Sequence, residues 1–261
     1  MRAFSRSLVR LAAAIAVAAT AAPAFAEVLE SEIEGEVRER VELPDDLKAM
    51  SPALYGEIKA KALAAIDEFR ETSIAERRAL REAGEPPAKP WLLETQWVVR
   101  FANPQIISIV EQSVAFSGGA QGEAFYNAWF YDPRARDTVA VSDMLNGIED
   151  NGPTVVALAG AARSALKDAK YKRTKTTLED EDLVGLIADD EAALGQIVLA
   201  PSTAPCRASG FVFLYAPFEL GPFPEGAYEL VIPWSAFARA LTPKWSGLFA
   251  GVAPEPAGEA G

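Results

Sequence analysis

One glycine-rich segment has the composition of a ligand-binding loop. Residues Ser117–Gly122 read Ser-Gly-Gly-Ala-Gln-Gly and lie between two predicted strands, so their backbone amides could face a bound molecule. A phosphate-binding loop would end in Gly-Lys-Ser/Thr or would join a strand to a helix as G-x-G-x-x-G, and neither pattern is present. The structural alternative is a strand connection in which glycine permits positive φ or close backbone packing.

Three carboxylates near this segment could support acid–base chemistry. Glu111, Glu123 and Asp132 flank it, and glycoside hydrolysis needs only two carboxylic acids about 5–10 Å apart. Histidine is absent, which excludes Ser-His-Asp triads, Cys-His dyads and His-ligated zinc. A single cysteine, Cys206, excludes cysteine metal clusters and internal disulfides. We therefore assign no catalytic residue, no metal and no cofactor, and keep a carboxylate-dependent cell-wall hydrolase as an alternative.

The charge balance limits the class of partner. The chain has 25 Lys plus Arg and 37 Asp plus Glu, a formal net charge of -12. Because phosphate backbones require a basic surface, we expect no nucleic-acid partner. A basic island between Lys167 and Lys175 surrounds Tyr171, and we interpret it as the solvated end of a helix. The alternative is a surface that meets an anionic wall polymer or an acidic partner.

Residues 1–26 have the three regions of a secretory signal peptide. An arginine-rich start precedes a short apolar run from Leu11, and the segment ends in an A-x-A site at Ala26. The apolar run is shorter than the ~20 residues of a membrane span, and no later stretch is as apolar. We therefore expect a periplasmic protein without a membrane span after signal cleavage.

The elements that must position these residues predict an α+β fold. We expect antiparallel sheets packed against a long N-terminal helix and two or three further helices. Ser51 and Pro52 are a typical helix start, and Gly84 is a typical end. Period-2 alternation predicts strands, and helical spacing predicts further helices. The predicted strands are 92–101, 106–116, 125–131, 138–141, 211–215 and 227–232, and the further helices are 142–145, 153–171 and 179–187.

Other boundaries follow from weaker patterns. Residues 37–41 alternate Val and Glu with Arg, which is typical of a solvated edge strand. Residues 191–197 are predicted to continue the preceding helix. We divide the mature chain into an N-terminal strand-helix-strand part at 27–101, a C-terminal α+β part at 102–249 and a disordered tail at 250–261.

Three stretches, in order, resemble a family of extracytoplasmic bacterial domains of unknown function. Asn103–Gly122 is similar to the family's strand followed by GGAHG. Phe130–Leu145 is similar to its segment of aspartate, turn and D-L-F. Phe211–Pro233 is similar to its Y-x-x-x-P-Y-x-x-G motif and I-P ending. The family is known from the extracellular part of a lysozyme-sensing anti-sigma factor and from the N-terminal region of a secreted peptidoglycan deacetylase. Gln121 stands where the family has histidine. The resemblance implies an α+β fold and, through the anti-sigma factor, lysozyme binding.

These observations favour a non-catalytic periplasmic binding module. Its expected ligand is a lysozyme-like protein or a peptidoglycan fragment, and a structural envelope protein is a further alternative. Protein recognition commonly uses aromatic anchors within a polar rim, and an acidic surface attracts a basic partner. The predicted ligand-binding residues are Ser117, Gly118, Gly119, Ala120, Gln121, Gly122, Tyr215, Phe218 and Glu219.

Overall fold

A computed structural model describes residues 27–119 and 122–254 of the chain. The predicted signal peptide, Ala120 and Gln121, and residues 255–261 lie outside this part. The helices are α1 (Asp45–Met50), α2 (Pro52–Glu82), α3 (Val141–Met144), α4 (Pro153–Thr174) and α5 (Asp180–Leu186). The strands are β1 (Glu27–Ile33), β2 (Val37–Leu43), β3 (Trp91–Ala102), β4 (Ile107–Phe116), β5 (Glu123–Asp132), β6 (Asp137–Val139), β7 (Gln196–Pro201), β8 (Ala208–Tyr215) and β9 (Tyr228–Pro233).

The strands form two sheets. Strands β1 to β6 make a six-stranded sheet in sequence order, and β7 to β9 make a three-stranded antiparallel sheet. Within the first sheet β2 and β3 pair in parallel because α1 and α2 lie between them in the chain, whereas every other pair is antiparallel. The predicted α+β class and antiparallel meander are confirmed.

The long helix α2 begins and ends where its terminal residues predict. The Ser51 hydroxyl accepts a hydrogen bond from the Leu54 N–H at 3.4 Å, and Pro52 occupies the first turn. Gly84 follows the helix with φ +84°, a conformation in which glycine is favoured. The helix boundaries are thus set by local chemistry, independently of the sheet.

Hydrophobic clusters join the layers in the order α2, first sheet, second sheet, α4. Each cluster combines one face of a helix or sheet with the face packed against it. Between α2 and the first sheet lie Val41, Ile58, Ile66, Trp97 and Ile109. Between the two sheets lie Val110, Tyr126, Val198, Val212 and Leu214. Between the second sheet and α4 lie Leu158, Ala162, Leu166, Phe213 and Leu230.

Polar contacts also tie the two sheets together. The buried Ser108 hydroxyl accepts a hydrogen bond from the Leu199 N–H at 2.9 Å. The Arg100 guanidinium donates to both Glu229 carboxylate oxygens, at 3.2 and 2.6 Å. A bidentate pair fixes direction as well as distance, so these contacts define how the second sheet lies on the first.

The prediction that residues 37–41 form an edge strand is wrong. Strand β1 pairs along one side of β2, and β3 pairs along the other. Glu39 is consequently 0% exposed, on the same face as Val37 and Val41. The alternation correctly indicates a strand, but it does not reveal that neighbouring strands and a helix cover it.

Glu39 is a buried carboxylate with little compensation. Its Oε1 lies 3.3 Å from the Arg70 Nε, yet neither carboxylate oxygen has a hydrogen-bond partner in the described chain. The Arg70 guanidinium instead donates to the Ser31 hydroxyl at 2.6 Å. Burial raises the pKa of the Glu39 carboxyl, and the attraction of Arg70 opposes this shift without cancelling it.

Stability should therefore depend on pH through Glu39. Because its folded-state pKa is raised, ionisation costs the folded protein more than the unfolded chain. As pH rises from about 4.5 to the folded-state pKa, the wild type should lose stability relative to Glu39→Gln. The total loss is about 1.4 kcal/mol for each pH unit by which the folded-state pKa exceeds the unfolded-state pKa. Urea unfolding across pH 4–8 measures this difference.

Glu94→Gln, which removes one exposed carboxylate from the neighbouring strand, corrects for the general loss of a negative charge. A difference between wild type and Glu39→Gln that is independent of pH, or that grows in favour of the wild type as pH rises, would contradict a destabilising buried carboxylate.

Residues 191–197 do not continue the preceding helix. A single 3₁₀ turn at Ala192–Leu194 ends at Gly195, which has φ +67°, and β7 begins at Gln196. A side chain at Gly195 would lie 2.7 Å from the Leu214 carbonyl oxygen. The close approach of β8 therefore requires glycine and ends the helical path.

The predicted internal boundary falls within a continuous sheet. Residue 101 lies in β3, which pairs along its length with β4. At the C-terminal end, Val252 and Ala250 hydrogen-bond to Thr203 and Ala208, each at 2.9 Å. These two residues belong to the range predicted as a disordered tail, 250–261, and form backbone hydrogen bonds; residues 255–261 of that range lie outside the described part.

Candidate functional site

The predicted glycine loop lies at the tip of the β4–β5 hairpin. Gly118 has φ +93°, and a Cβ there would lie 3.0 Å from the Trp91 Nε1. The Arg77 guanidinium lies 5.8 Å from the centre of the Trp91 ring. Glycine at position 118 therefore has a structural role, because it lets the loop approach the indole at the start of β3.

Arg77 anchors this end of the molecule. Its side chain is 3% exposed and donates to the Glu36 carboxylate at 2.8 Å. It also donates to the carbonyl oxygens of Lys89 and Gly35, at 2.6 and 3.0 Å. These bonds connect α2 to the β1–β2 turn and to the segment leading into β3. Arg77 therefore has a structural role.

Tyr215 and Glu219 stabilise the second predicted segment by hydrogen bonds to backbone groups. Tyr215 is 4% exposed, and its hydroxyl donates to the Ala193 carbonyl oxygen at 2.9 Å. Burial raises the pKa of this hydroxyl. The Glu219 carboxylate accepts a hydrogen bond from the Ala216 N–H, which closes the turn between them. The assignment of both residues to ligand binding stays a prediction.

Phe218 is the exposed aromatic residue of this turn. Its side chain is 55% exposed, and its ring centre lies 5.2 Å from that of Phe223. The backbone adopts the left-handed conformation, φ +79°, although Phe218 is neither glycine nor asparagine. This conformation costs about 1–2 kcal/mol for a residue with a Cβ. Strain at an exposed aromatic residue is a typical signature of a functional position.

Strand β5 has a free edge over residues 123–128. It pairs with β6 only through Phe130–Asp132, and no strand of the described chain pairs with the same side of residues 123–128. At the end of this stretch, the Ala128 N–H donates to the side-chain Oε1 of Gln196 at 3.0 Å. A side chain thus occupies the place of a neighbouring strand's carbonyl.

The β5 edge connects the two predicted segments. Gly122 immediately precedes β5, and Tyr126 of β5 shares a buried cluster with Ala216. Phe218 follows Ala216 by two residues, which places its Cα within about 7 Å of the Ala216 Cα. Burial raises the Tyr126 pKa to about 12, and the carboxylates of Glu229 and Glu219 contribute to the rise.

We define the edge surface as the free side of residues 122–128 together with Phe218, Glu219, Glu191 and Gln196. A cleft of about 260 Å³ lies at its far end. Glu191 carries the only charge among the residues lining this cleft, which are Ala128–Phe130, Thr138–Val141, Glu191 and Gly195–Ile197. The described part therefore combines an open backbone edge, an exposed aromatic ring and an acidic rim.

The three carboxylates considered for hydrolysis do not converge. Glu111 lies opposite Asn127, whose amide donates to it at 3.0 Å, and Glu123 lies opposite Ala115. The Glu111–Asn127 and Ala115–Glu123 pairs are four residues apart along the strands. This distance is about 14 Å, which exceeds the spacing of a glycosidase acid pair.

The Asp132 carboxylate is hydrogen-bonded to backbone groups of the turn that follows β5. Its Oδ1 accepts hydrogen bonds from the backbone N–H groups of Arg134 and Ala135, at 2.9 and 3.1 Å. The Ala135 bond is the main cause of its lowered pKa. This geometry gives no support to the acid pairs named for the hydrolase alternative.

Two residues of the basic island, Lys170 and Arg173, form tertiary contacts that hold α4 in place. Lys170 is buried, and its Nζ donates to the Glu225 carboxylate at 2.7 Å. The Arg173 guanidinium lies 4.2 Å from the centre of the Tyr228 ring. The interpretation as a solvated helix end is therefore wrong for Lys170, which fixes α4 against the segment before β9.

Neither a metal cluster nor a membrane-spanning helix is found within residues 27–119 and 122–254. These ranges contain no group of three or more Asp, Glu, His or Cys side chains arranged to hold a metal ion. None of their helices combines the length and apolar character needed to cross a bilayer.

The fold is similar to that of two solved structures. A member of the DUF3298 family from Bacteroides fragilis is 13% identical with a TM-score of 0.56, and the match covers 86% of this chain and 94% of that one. A DUF3298 family protein from Pseudomonas aeruginosa is 19% identical with a TM-score of 0.51, and the match covers 88% and 98%. No family model and no curated protein matches the sequence. At these identities the likeness shows the fold alone, which fits an uncharacterised domain, and it leaves the anti-sigma-factor and deacetylase resemblance as an expectation.

Proposed function

We propose that this chain is an exported, non-catalytic binding module of the cell envelope, and that it recognises a lysozyme-like protein through the edge surface. The observation that carries the proposal is Phe218, an aromatic side chain that is 55% exposed on a backbone held at φ +79°. A half-exposed ring gains less from burial on folding than a core ring, whereas aromatic anchors dominate many protein interfaces.

The charge of the edge surface suits a basic partner. Glu123, Glu191 and Glu219 are exposed, and none of them forms an ion pair within the described residues. The whole chain carries a formal net charge of -12. Such a surface raises the association rate with a strongly basic protein such as lysozyme.

Export is supported by the N-terminal sequence. Residues 1–26 have the arginine-rich start, the apolar run and the A-x-A site of a secretory signal peptide, with cleavage predicted after Ala26. A processed chain would therefore keep every described strand and helix. The periplasm is where a binding module of this kind would meet a lysozyme or cell-wall fragments.

Calorimetric titration of the mature chain tests the proposal. Lysozyme and soluble peptidoglycan fragments are titrated separately at ~0.15 M salt, where charges farther apart than about 8 Å are screened. We expect saturable binding of lysozyme. Binding of peptidoglycan fragments alone would replace the proposed partner, and no saturable binding of either would remove the proposed function while leaving the fold unchanged.

A further inference from the structure

We infer that the edge surface binds its partner by strand addition, in which an extended segment with basic side chains pairs with the free edge of β5. This inference rests on the proposed binding function, and it adds the mode of recognition and the chemistry of the recognised segment. In strand addition, main-chain hydrogen bonds supply affinity, and alternate side chains supply specificity.

The backbone of β5 presents the required groups. In an antiparallel sheet, the N–H and C=O groups of one residue point to the same lateral side of its strand. The groups of the next residue point to the opposite lateral side. Because the Ala128 N–H points outward to Gln196, the N–H and C=O groups of Ala124 and Tyr126 point to the same outer side. No backbone or side-chain group of the described residues bonds to them there.

The other sheet edges carry features that oppose pairing. Among the described strands, β7 and β9 each end in a proline, Pro201 and Pro233, β1 carries three glutamates, and the edge strand β6 is only three residues long. Proline and charge are common ways of protecting an edge from added strands. The free stretch of β5 reads Glu-Ala-Phe-Tyr-Asn-Ala and pairs with β4 without a bulge. Up to the Ala128 N–H, which is bonded to Gln196, it is therefore an open template of five residues, about 17 Å long.

The carboxylates around the edge and the direction of β6 indicate which kind of segment would bind there. Glu123 begins the strand, Glu191 lines the cleft beside Ala128, and the Glu219 carboxylate lies near enough to Tyr126 to help raise the pKa of that hydroxyl. Strand β6 runs antiparallel to β5 and stops at Val139, so an added segment would continue the line of β6 in the same direction. A segment alternating apolar residues with lysine or arginine matches both the pleat and the charge.

Hydrogen exchange gives the primary test. The probe is an acetylated, amidated octapeptide of alternating valine and lysine, added to the isotopically labelled mature chain. We expect at least tenfold slower exchange of the Ala124 and Tyr126 amides, which point outward. No slowing at these amides overturns the inference. The same peptide with N-methyl groups on alternate residues should bind at least tenfold more weakly, because it cannot pair along its length.

Ala124→Pro is the matched variant. It removes an outward N–H that makes no bond to β4, and proline is tolerated at such edge positions. Ala124→Ser keeps the N–H and is the control. We expect Ala124→Pro to bind the peptide at least tenfold more weakly, while Ala124→Ser binds like the wild type. Equal binding by both variants overturns the inference. If Ala124→Pro does not fold, the hydrogen-exchange result on the wild type decides.

The two proposals fail separately. Saturable lysozyme binding that leaves the Ala124 and Tyr126 amides unprotected contradicts strand addition and keeps the proposed function. Protection of these amides by the basic peptide, without binding of lysozyme or peptidoglycan fragments, keeps strand addition and contradicts the proposed partner.

Discussion

Replacing Phe218 by glycine is expected to weaken lysozyme binding by at least about 30-fold, while the free energy of unfolding changes by no more than about 1 kcal/mol. The loss of affinity corresponds to about 2 kcal/mol, the usual threshold for a binding hot spot. Calorimetric titration measures the first quantity, and urea unfolding measures the second.

Opposing effects explain the small change in stability. Glycine adopts φ +79° without the cost of about 1–2 kcal/mol that a side chain imposes. The variant loses the contact between Phe218 and Phe223, and the flexible glycine loses more entropy on folding. A residue whose removal costs function but not stability has the profile of a functional position.

Tyr171→Ala is the control for exposed aromatic area. Tyr171 is also 55% exposed, but it lies near the end of α4 and is not part of the edge surface. We expect this variant to bind lysozyme like the wild type. Equal losses of affinity in Phe218→Gly and Tyr171→Ala would indicate nonspecific attraction and would contradict a specific role for Phe218.

Replacing Gly210 by alanine is expected to destabilise the fold by about 4 kcal/mol or more. A Cβ at this position of β8 would lie 1.9 Å from the Ile232 carbonyl oxygen of β9. The obstacle is backbone within a buried sheet, so β8 and β9 must separate, which places the change among the largest single-residue effects. Urea unfolding, or the soluble yield if the variant does not fold, measures the loss.

Gly160→Ala provides the opposite case. Gly160 lies on the exposed side of α4, and a Cβ at this position would have no neighbouring atom within 4 Å. Alanine should therefore stabilise the helix by up to about 1 kcal/mol. Wild-type stability in Gly210→Ala would mean that β8 and β9 do not approach as closely as the structure has them.

Local chemistry accounts for the parts of the fold that sequence reasoning predicts well. The boundaries of α2 follow from Ser51, Pro52 and Gly84, which act within a few residues of themselves. The alternation of β3 and the short connections of the meander likewise depend on neighbouring residues. These features need no knowledge of what packs against them.

The buried Glu39 and the candidate site both depend on contacts between distant segments. The burial of Glu39 requires β1, β3 and α2 to assemble around it, and the Ala128–Gln196 bond joins residues 68 positions apart. Phe218 is neither glycine nor asparagine, so its type gives no signal of a left-handed backbone. The sequence pattern predicts a surface shared by the Ser117–Gly122 and Phe218 segments, but it does not predict the free strand edge between them.

Chemical-shift mapping of the labelled mature chain during titration with lysozyme tests the central claim most directly. We expect saturable shifts concentrated at residues 122–128 and at Phe218, Glu219, Glu191 and Gln196, at both low and ~0.15 M salt. Shifts concentrated instead on the surface of α2 or α4, or no shifts at any ratio, would contradict the claim that this edge holds the partner.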